Sequence, residues 1–250
     1  ALDQNEPVTH VQLAEKAEEL CENAKTKLGM NDVGDGRIES CFFPIVQSGG
    51  DYDVRPSAES NENTLSDDII LTSLGARFDN YCTSLARSYF VDPIPKVKSA
   101  YAALLDVRTA CLAQMRPGNS LKSVYESAQR VLEKHSFAAY LPANVGFALG
   151  IDFREASLVV NAKNQTPLAP GMVFSLALAL HKVPLSQADK AKAKGSVTKL
   201  SEFSVVLGDT VLVTDSGDAE VLTAKAPFDW NRVSYFINES EHNDDDDDDE

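Results

Sequence analysis

The sequence predicts an α+β protein, because its helical and strand-like segments fall into separate blocks instead of alternating regularly. Amphipathic helices are expected after Thr9, Pro95 and Ser120. Segments rich in β-branched and apolar residues dominate the second half of the chain. With 250 residues, of which 43% are apolar, the chain is long enough to bury a sizeable core.

The three predicted helices each carry a local start or stop signal. The first begins at a capping box formed by Thr9 and Gln12 and ends at Gly29. The second covers about 95–115 and the third about 120–135, with the turn sequence "RPGN" between them. Apolar residues at helical spacing in all three predict one buried face per helix.

The predicted strands are short segments bounded by turn residues. They cover residues 41–46, 69–71, 81–91, 157–161, 172–180, 202–207 and 210–214. The sequence "GARFDN" supplies turn chemistry between the second and third of these, which predicts an antiparallel hairpin. The polar stretch "SQADKAKAKG", residues 186–195, predicts a mobile surface loop between paired strands.

The charge distribution narrows the classes of partner. A formal charge of −15 and a pI near 4.6 argue against duplex DNA or RNA as a direct partner, because phosphate binding needs clustered Lys and Arg. A basic protein is the expected partner. Residues 239–250 are predicted to be a disordered acidic tail or linker, because adjacent aspartates repel one another and bury nothing.

Cysteine usage and hydropathy predict a soluble intracellular protein without a membrane partner. The four cysteines are scattered and form no CxxC pair, which favours buried structural thiols over a redox or metal role. No signal peptide and no apolar run of membrane-spanning length is present. Because the first residue is Ala1, the chain is expected to be a piece of a longer protein.

Three segments resemble the pita-bread fold of methionine aminopeptidase, aminopeptidase P and creatinase. They are "ILTSLGARFDNYCTSLARSYFVD", "NVGFALGIDFRE" with "LAPGMVFSLALAL", and "FSVVLGDTVLVTDSG". Their glycines, turns and strands follow the family's spacing and order over most of residues 69–217. The resemblance implies a curved mixed β-sheet backed by helices, in a domain covering residues 1–238.

The same resemblance implies that the peptidase chemistry is lost. In the peptidases of this fold, two Asp, one His and two Glu hold two metal ions. These positions fall on Ser73, Ser84, Phe147, Ala177 and Gly208. Two hard cations held close together need several anionic oxygens, and this set offers two hydroxyls. We therefore expect a pseudo-peptidase with no catalytic residue, no bound metal and no cofactor.

Within this fold, the chain most resembles the large-subunit family of the FACT histone chaperone. The segments "PIVQSGGDYDVRPSAES", "YCTSLARSYFVDP" and "GFALGIDFREASLVVNAKNQ" carry the resemblance, which runs from about Thr9 to Ile237. It implies the catalytic-like lobe of the subunit's N-terminal domain, with an upstream small lobe and the downstream domains outside this chain. It also implies a nuclear, chromosome-associated protein that reorganises nucleosomes during transcription, replication and repair.

The family implies core histones or histone tails as partners, bound without catalysis. It also implies a small HMG-type subunit, contacted through regions outside this chain. The candidate binding residues are Arg154 and Glu155 in the loop after the glycine turn, and the acidic run Asp244, Asp245, Asp246, Asp247, Asp248 and Asp249. The former peptide groove offers a place for an extended tail. The alternatives are a groove closed by Phe147 and an acidic run that serves only as a linker.

Two other functions stay open. One is a scaffold that binds replication or transcription proteins instead of histones. The other is a residual peptidase using Ser48 of "SGG" or Ser84, which is disfavoured because no base accompanies either serine in the sequence. Asp209 and Glu155 are predicted to be structural partners of Arg87 or Arg154. The four histidines are predicted to be ordinary structural or surface residues; they are His10, His135, His181 and His242.

Overall fold

The computed structural model describes residues 7–27 and 37–237 of the chain. Helix α1 spans His10–Glu22, and its predicted capping box is confirmed: the Thr9 hydroxyl accepts from the amide of Gln12, whose side chain accepts from the amide of Thr9. The predicted length is wrong, because α1 stops at Glu22 and a separate short helix α2, Ala24–Lys27, follows. Gly29 lies outside the described residues.

Two long helices follow in the middle of the chain, as predicted. Helix α3 spans Pro95–Gln114 and has Pro95 in its first turn, where a missing amide hydrogen is tolerated. Helix α4 spans Leu121–Lys134, and the Ser120 hydroxyl caps it by accepting from the amide of Ser123. The two helices pack against each other, and their buried side chains share one core with the main sheet.

Over the described residues, the main sheet has nine strands. Seven follow one another across it: β2 (Ile45–Gln47), β3 (Ile69–Leu74), β6 (Leu85–Val91), β10 (Glu202–Val213), β9 (Val173–Pro184), β7 (Asn144–Ala148) and β8 (Glu155–Asn161). Strand β11 (Ala219–Val221) pairs with β10, and β12 (Ser234–Tyr235) pairs with β6. The β12–β6 pair is parallel and the other described pairs are antiparallel.

A small second sheet interrupts the predicted hairpin. Strands β3 and β6 do pair in antiparallel fashion, but the chain between them leaves the main sheet. There β4 (Ala76–Phe78) pairs with β5 (Tyr81–Cys82) and with β1 (Ile38–Ser40). Asp79 and Asn80 make the tight turn with φ of 44° and 70°. The turn residues were therefore read correctly, but they close a smaller hairpin than expected.

The remaining strand predictions differ from the structure mainly in their bounds. The strand expected at 41–46 begins only at Ile45, because the chain bends at Cys41 and Phe42. The strands expected at 202–207 and 210–214 are one strand, β10, and β7 was not predicted. The segment 186–195 does connect paired strands, but it contains a short helix α5, Gln187–Lys190.

The core lies between the main sheet and helices α3 and α4. Tyr101 of α3 and Phe90 of β6 contact edge to face with ring centroids 5.0 Å apart. Trp230, which begins the last short helix α6 (Trp230–Val233), stacks on Phe90 at 5.1 Å. In the part of the chain that the structure describes, no helix combines the length and hydropathy that a membrane span requires.

Candidate functional site

A pocket opens on one face of the main sheet, where β3, β6, β10 and β9 lie side by side. It encloses about 660 Å³ of space, part of it open to solvent. The five positions that the pita-bread resemblance assigns to metal ligands all line it: Ser73 on β3, Ser84 just before β6, Phe147 on β7, Ala177 on β9 and Gly208 on β10. Residues that are far apart in the sequence therefore meet in one site.

The register of the strands explains this convergence. Gly208 lies opposite Ala177 on one side and opposite Ala86 on the other. Ser73 also lies opposite Ala86, on the other side of β6. Directly paired residues in a sheet point to the same face, so these side chains and the bare Cα of Gly208 form one small-residue floor.

Aromatic rings form one wall of the pocket. Phe153 contacts Phe147 with centroids 5.5 Å apart and Phe42 with centroids 4.9 Å apart. The Arg154 guanidinium lies 5.4 Å from the centre of the Phe147 ring, in cation–π contact. Phe147 is buried, whereas Arg154 is exposed, so the guanidinium covers the ring from the solvent side.

The opposite rim carries an ion pair. The Arg55 guanidinium donates to both oxygens of Asp53, with the Arg55 Nη2 to Asp53 Oδ2 distance at 2.6 Å. These charge-assisted hydrogen bonds hold the pKa of Asp53 below its usual range. Gln47 fixes the same loop, because its side chain accepts from the Asp53 amide and donates to the Asp53 carbonyl. The rim is therefore polar, and its charged side chains, Asp53 and Arg55, already pair with each other.

The other face of β10 carries a buried ion cluster. Asp209 follows Gly208, so its side chain points away from the pocket and towards α3. Its carboxylate accepts from Arg87 at 2.8 Å and from Arg108 of α3 at 2.7 Å. Arg87 also donates to the carbonyls of Gly208 and Pro227. The predicted structural pairing of Asp209 with Arg87 is confirmed.

The profile of metallopeptidase family M24 matches residues 3–215. The chain belongs to family M24. It is also 34% identical, over 96% of its length, to FACT complex subunit SPT16 of Zea mays. It covers 22% of that protein, so it spans about a fifth of the length of the curated relatives it matches. The resemblance to the FACT large-subunit family is confirmed.

Solved structures show the same relationship. The N-terminal domain of SPT16 from Cicer arietinum superposes with a TM-score of 0.83 at 32% identity, covering 94% of this chain and 54% of that one. A dipeptidase from Pyrococcus horikoshii superposes with a TM-score of 0.66 at 22% identity, over 86% of this chain and 52% of that one. The predicted pita-bread fold is confirmed.

The residues of the pocket do not fit the metal pair that the M24 family name implies. Asp53 is the one carboxylate among the described lining residues, and Arg55 neutralises it. The floor offers the hydroxyls of Ser73 and Ser84 with no imidazole beside them. Within 7–27 and 37–237, no group of three or more His, Cys, Asp or Glu side chains is placed to hold a metal ion. Such a set cannot offset the repulsion between two hard cations.

The predicted binding residues are only partly brought together. Arg154 adjoins the pocket through Phe147, but Glu155 is exposed and accepts from Ser157 at 2.8 Å. No ion pair joins Arg154 and Glu155 among the described residues, so that part of the structural assignment of Glu155 is wrong. Asp244–Asp249 lie outside the described residues.

One buried polar cluster escaped the sequence analysis. His10 Nε2 lies 2.7 Å from the Ser48 hydroxyl, and His10 Nδ1 lies 2.7 Å from Asn61 Oδ1. The statement that no base accompanies Ser48 is therefore wrong. The Ser48 hydroxyl also accepts from the amide of Ser66, and both His10 and Ser48 are buried away from the pocket lining. No local pattern reveals a contact between residues 38 positions apart.

The other histidines and the cysteines have ordinary surroundings. His135 pairs with Asp106 on the surface at 2.9 Å, His181 contacts the Ser204 hydroxyl at 3.2 Å, and His242 lies outside the described residues. All four cysteines are free thiols; Cys82 and Cys111 are buried. Burial raises the pKa of Cys111 to about 12, which makes it a poor nucleophile.

Proposed function

We propose that this chain is a non-enzymatic, protein-binding M24 domain of a FACT-type histone chaperone. One observation carries the proposal: the five positions that would hold the peptidase metals meet in one pocket, and they supply two hydroxyls, a phenyl ring, a methyl group and a glycine. The pocket lies at the positions that the resemblance assigns to the metal site, and its residues lack the ligands for a metal that could activate water. Binding is then the function that the site supports.

The pocket suits an extended peptide with a small or apolar side chain. Its floor consists of Ser73, Ala86, Ala177 and Gly208, and phenyl rings form its wall. An extended segment presents alternate side chains to such a surface, so one side chain enters while its neighbours remain at the rim. Open space remains beside Phe147, which argues against the alternative of a groove closed by that ring.

Charge favours a basic partner. The chain carries 38 acidic and 23 basic side chains, giving the formal charge of −15. A field of this sign accelerates encounter with a positively charged protein and makes binding sensitive to salt. Core histones and their tails are positively charged, as this argument requires. They are also the expected partners of a FACT complex, to which the relatives are assigned.

The remaining properties follow from membership of such a complex. The full protein is proposed to be nuclear and chromosome-associated, to act in nucleosome reorganisation, and to contact the small HMG-type subunit through regions outside this chain. No cofactor, nucleic acid or membrane is part of the proposal. Arg154, which contacts the pocket-lining Phe147, and its exposed neighbour Glu155 are the proposed folded contacts.

The test is titration of core histones into this chain. The tetramer-forming histone pair, the dimer-forming pair and isolated tail peptides are measured at low and moderate salt, with the full chain and with a variant lacking residues 239–250. Binding that persists at moderate salt without the tail supports a histone site on the folded domain. Loss of binding in either condition contradicts it.

A pocket variant locates the site. Ala177→Phe fills the floor, while Ala139→Phe adds the same ring at an exposed position away from the pocket. We expect Ala177→Phe to weaken tail-peptide binding at least tenfold and Ala139→Phe to leave it unchanged. Equal affinities would exclude the pocket and leave an outer face as the binding surface.

The alternatives predict different outcomes in the same assays. A scaffold for replication or transcription proteins would bind those proteins without dependence on salt or on residues 239–250. A residual peptidase would turn over members of a peptide library and lose that activity in Ser48→Ala or Ser84→Ala. We expect no turnover, because Ser48 and His10 are buried and no described group beside Ser84 acts as a base.

A further inference from the structure

The connection between β9 and β10 carries a local basic surface on an acidic protein. Within residues 186–200 four lysines stand against one aspartate: Lys190, Lys192, Lys194 and Lys199 against Asp189. Lys192, Lys194 and Lys199 are exposed, and Lys190 is partly exposed. We call these four residues the lysine surface.

The segment is anchored to the domain. Val197 and Leu200 are buried in the core, and the Ser196 hydroxyl donates to Asp67. The Leu185 amide donates to the Ser201 carbonyl at 2.8 Å, closing the base of the loop. The lysines are therefore presented by a fixed segment, which lowers the entropy lost when a partner binds.

Nearby carboxylates form no salt bridge with these lysines in the described residues, and one of them, Asp67, accepts from the Ser196 hydroxyl. Asp189 pairs with Lys96 of α3 at 3.0 Å, and Glu202 pairs with Lys182 at 3.8 Å. In the described parts of the chain, none of the four lysines forms a salt bridge. An acidic segment that reached this surface would meet charges without a competing partner, and the Debye length of about 10 Å at 0.1 M salt would leave the attraction effective at contact.

The chain leaves the described structure beside the same region. The Ile237 amide donates to the Asp92 carboxylate at 3.2 Å, and the Asp92 amide donates to the Tyr235 carbonyl. Asp92 precedes Lys96 by four residues, and Lys96 contacts both Asp189 and the carbonyl of Pro184. The end of the described chain and the lysine surface are therefore linked through the first turn of α3.

The acidic run has the length to reach the lysines. The four steps from Asp92 to Lys96 span at most about 14 Å, and Lys96 touches Asp189 directly. At about 3.3–3.6 Å per extended residue, the seven steps from Ile237 to Asp244 reach roughly 23–25 Å, and the twelve to Asp249 roughly 40–43 Å. Attachment in the same chain also raises the effective concentration of the run to the millimolar range typical of short linkers.

We propose that Asp244–Asp249 dock on the lysine surface of the same chain, and that a basic partner must displace them. The docking step follows from the charges, the reach and the exit point of the chain. The displacement step rests on the proposed function, because it needs a basic partner that uses the same acidic run. The free protein is then held in a self-bound state that raises its discrimination against weakly basic partners.

Zero-length carbodiimide crosslinking of the full chain tests the docking step. Peptide mapping compares links from the acidic run to the lysine surface with links to Lys122, Lys134 and Lys163, which lie on α4 or just after β8. We expect at least a fivefold preference for the lysine surface, and its loss at 0.5 M NaCl. Equal labelling of both groups, or links between different molecules only, would overturn the proposal.

A matched pair of charge variants tests displacement. Lys190→Gln/Lys192→Gln/Lys194→Gln and the control Lys122→Gln/Lys134→Gln/Lys163→Gln remove the same number of charges. A synthetic arginine-rich peptide is the probe. We expect the first variant to bind it at least threefold more tightly than the control at low salt, with the difference abolished by deleting residues 239–250. Equal binding by the two variants would overturn displacement.

The two experiments separate this proposal from the proposed function. If crosslinking shows the preference but no histone or basic peptide binds, docking stands and the proposed function fails. A 20-base-pair DNA duplex provides the remaining comparison. The outcome that overturns the proposal has three parts: the wild-type chain binds the duplex, the lysine variant does not bind it, and the crosslinks are absent. The lysine surface would then serve nucleic acid.

Discussion

The two faces of β10 carry opposite kinds of chemistry at adjacent residues. Gly208 faces the pocket with no side chain, whereas Asp209 faces α3 and holds two arginines. On the pocket side, the polar groups of the floor are hydroxyls beside open space. On the helix side, a carboxylate and a guanidinium that are each about 98% buried depend on each other.

This difference shows on which face of β10 the stability of the fold depends. A buried ion is tolerated only while its partners are present, so each member of the Arg87–Asp209–Arg108 cluster fixes the others. The pocket floor imposes no such requirement, because small side chains beside solvent leave no charge uncompensated. Chemistry can disappear from the pocket without damage to the sheet behind it.

The largest effect is expected from Asp209→Ala. The substitution leaves Arg87 and Arg108 buried or nearly buried without their carboxylate, which should lower the free energy of unfolding by about 3–5 kcal/mol. Urea denaturation followed by tryptophan fluorescence measures it. Asp218→Ala is the matched control, because its partner Arg116 and Asp218 are 53% and 84% exposed and such pairs contribute about 0–1 kcal/mol. Similar losses in both variants would contradict the comparison.

Ser48→Ala should have the next largest effect. It removes the hydroxyl that accepts from the Ser66 amide and contacts His10, so a partly buried amide and a buried imidazole lose a partner, at a cost of about 1–3 kcal/mol. Ser73→Ala is the matched pocket variant. The Ser73 hydroxyl makes no hydrogen bond to the described residues, and we expect a change within about 0.5 kcal/mol. Thermal unfolding of the two variants checks this; a larger loss for Ser73→Ala would reverse the ranking.

Gly208→Ala probes the closeness of the strands at the pocket floor. A Cβ on Gly208 would lie 2.9 Å from the Ala86 Cβ and 3.2 Å from the Ala86 amide nitrogen. Overpacking of this kind should lower the free energy of unfolding by about 1–2 kcal/mol. Gly150→Ala is the control, because its nearest neighbour is the Tyr81 ring at 3.7 Å, an ordinary contact.

A double variant sharpens the assignment of that clash. Ala86→Gly removes the methyl group that a Gly208 side chain would meet, so Gly208→Ala should be less harmful in the Ala86→Gly background than alone. Additive losses in urea denaturation would show that the strain lies elsewhere. The same clash implies that a Glu at this position, as in the active peptidases, does not fit the present strand spacing.

Local signals in the sequence predicted the local features correctly. The Thr9 capping box, the Ser120 cap and the positive-φ turn at Asp79 and Asn80 depend on neighbours within a few residues, and all three occur as expected. The spacing of the family segments placed the five pocket positions, because each lies at a fixed point in a strand that the fold pairs with its neighbours.

Features decided by distant partners could not be predicted. Gly208 and Asp209 look like a turn, but Gly208 is required for close approach to Ala86 within a continuous strand. Ser48 and His10 are joined by packing of α1 on the β2 region, and neither residue shows this in its own surroundings. Gly146 interrupts the apolar pattern of β7, and the pairing of this strand with β8 and β9 defines it.

The smallest effect concerns His181, at the end of β9 near the pocket rim. Burial, together with the positive charge of Lys182, lowers the pKa of His181 below 6.5, although Asp53 and Glu202 act in the opposite direction. As the pH falls through 6.5, the unfolded chain therefore binds a proton that the folded chain does not, so stability declines with acidification.

Replacing His181 with Gln should make the dependence of unfolding free energy on pH shallower below pH 6.5. His135→Gln, which removes an exposed imidazole paired with Asp106, is the control, and an identical change in both variants would assign the effect to loss of any histidine. A change confined to His181→Gln would show that the pocket rim, unlike the floor, still has a folded-state electrostatic constraint.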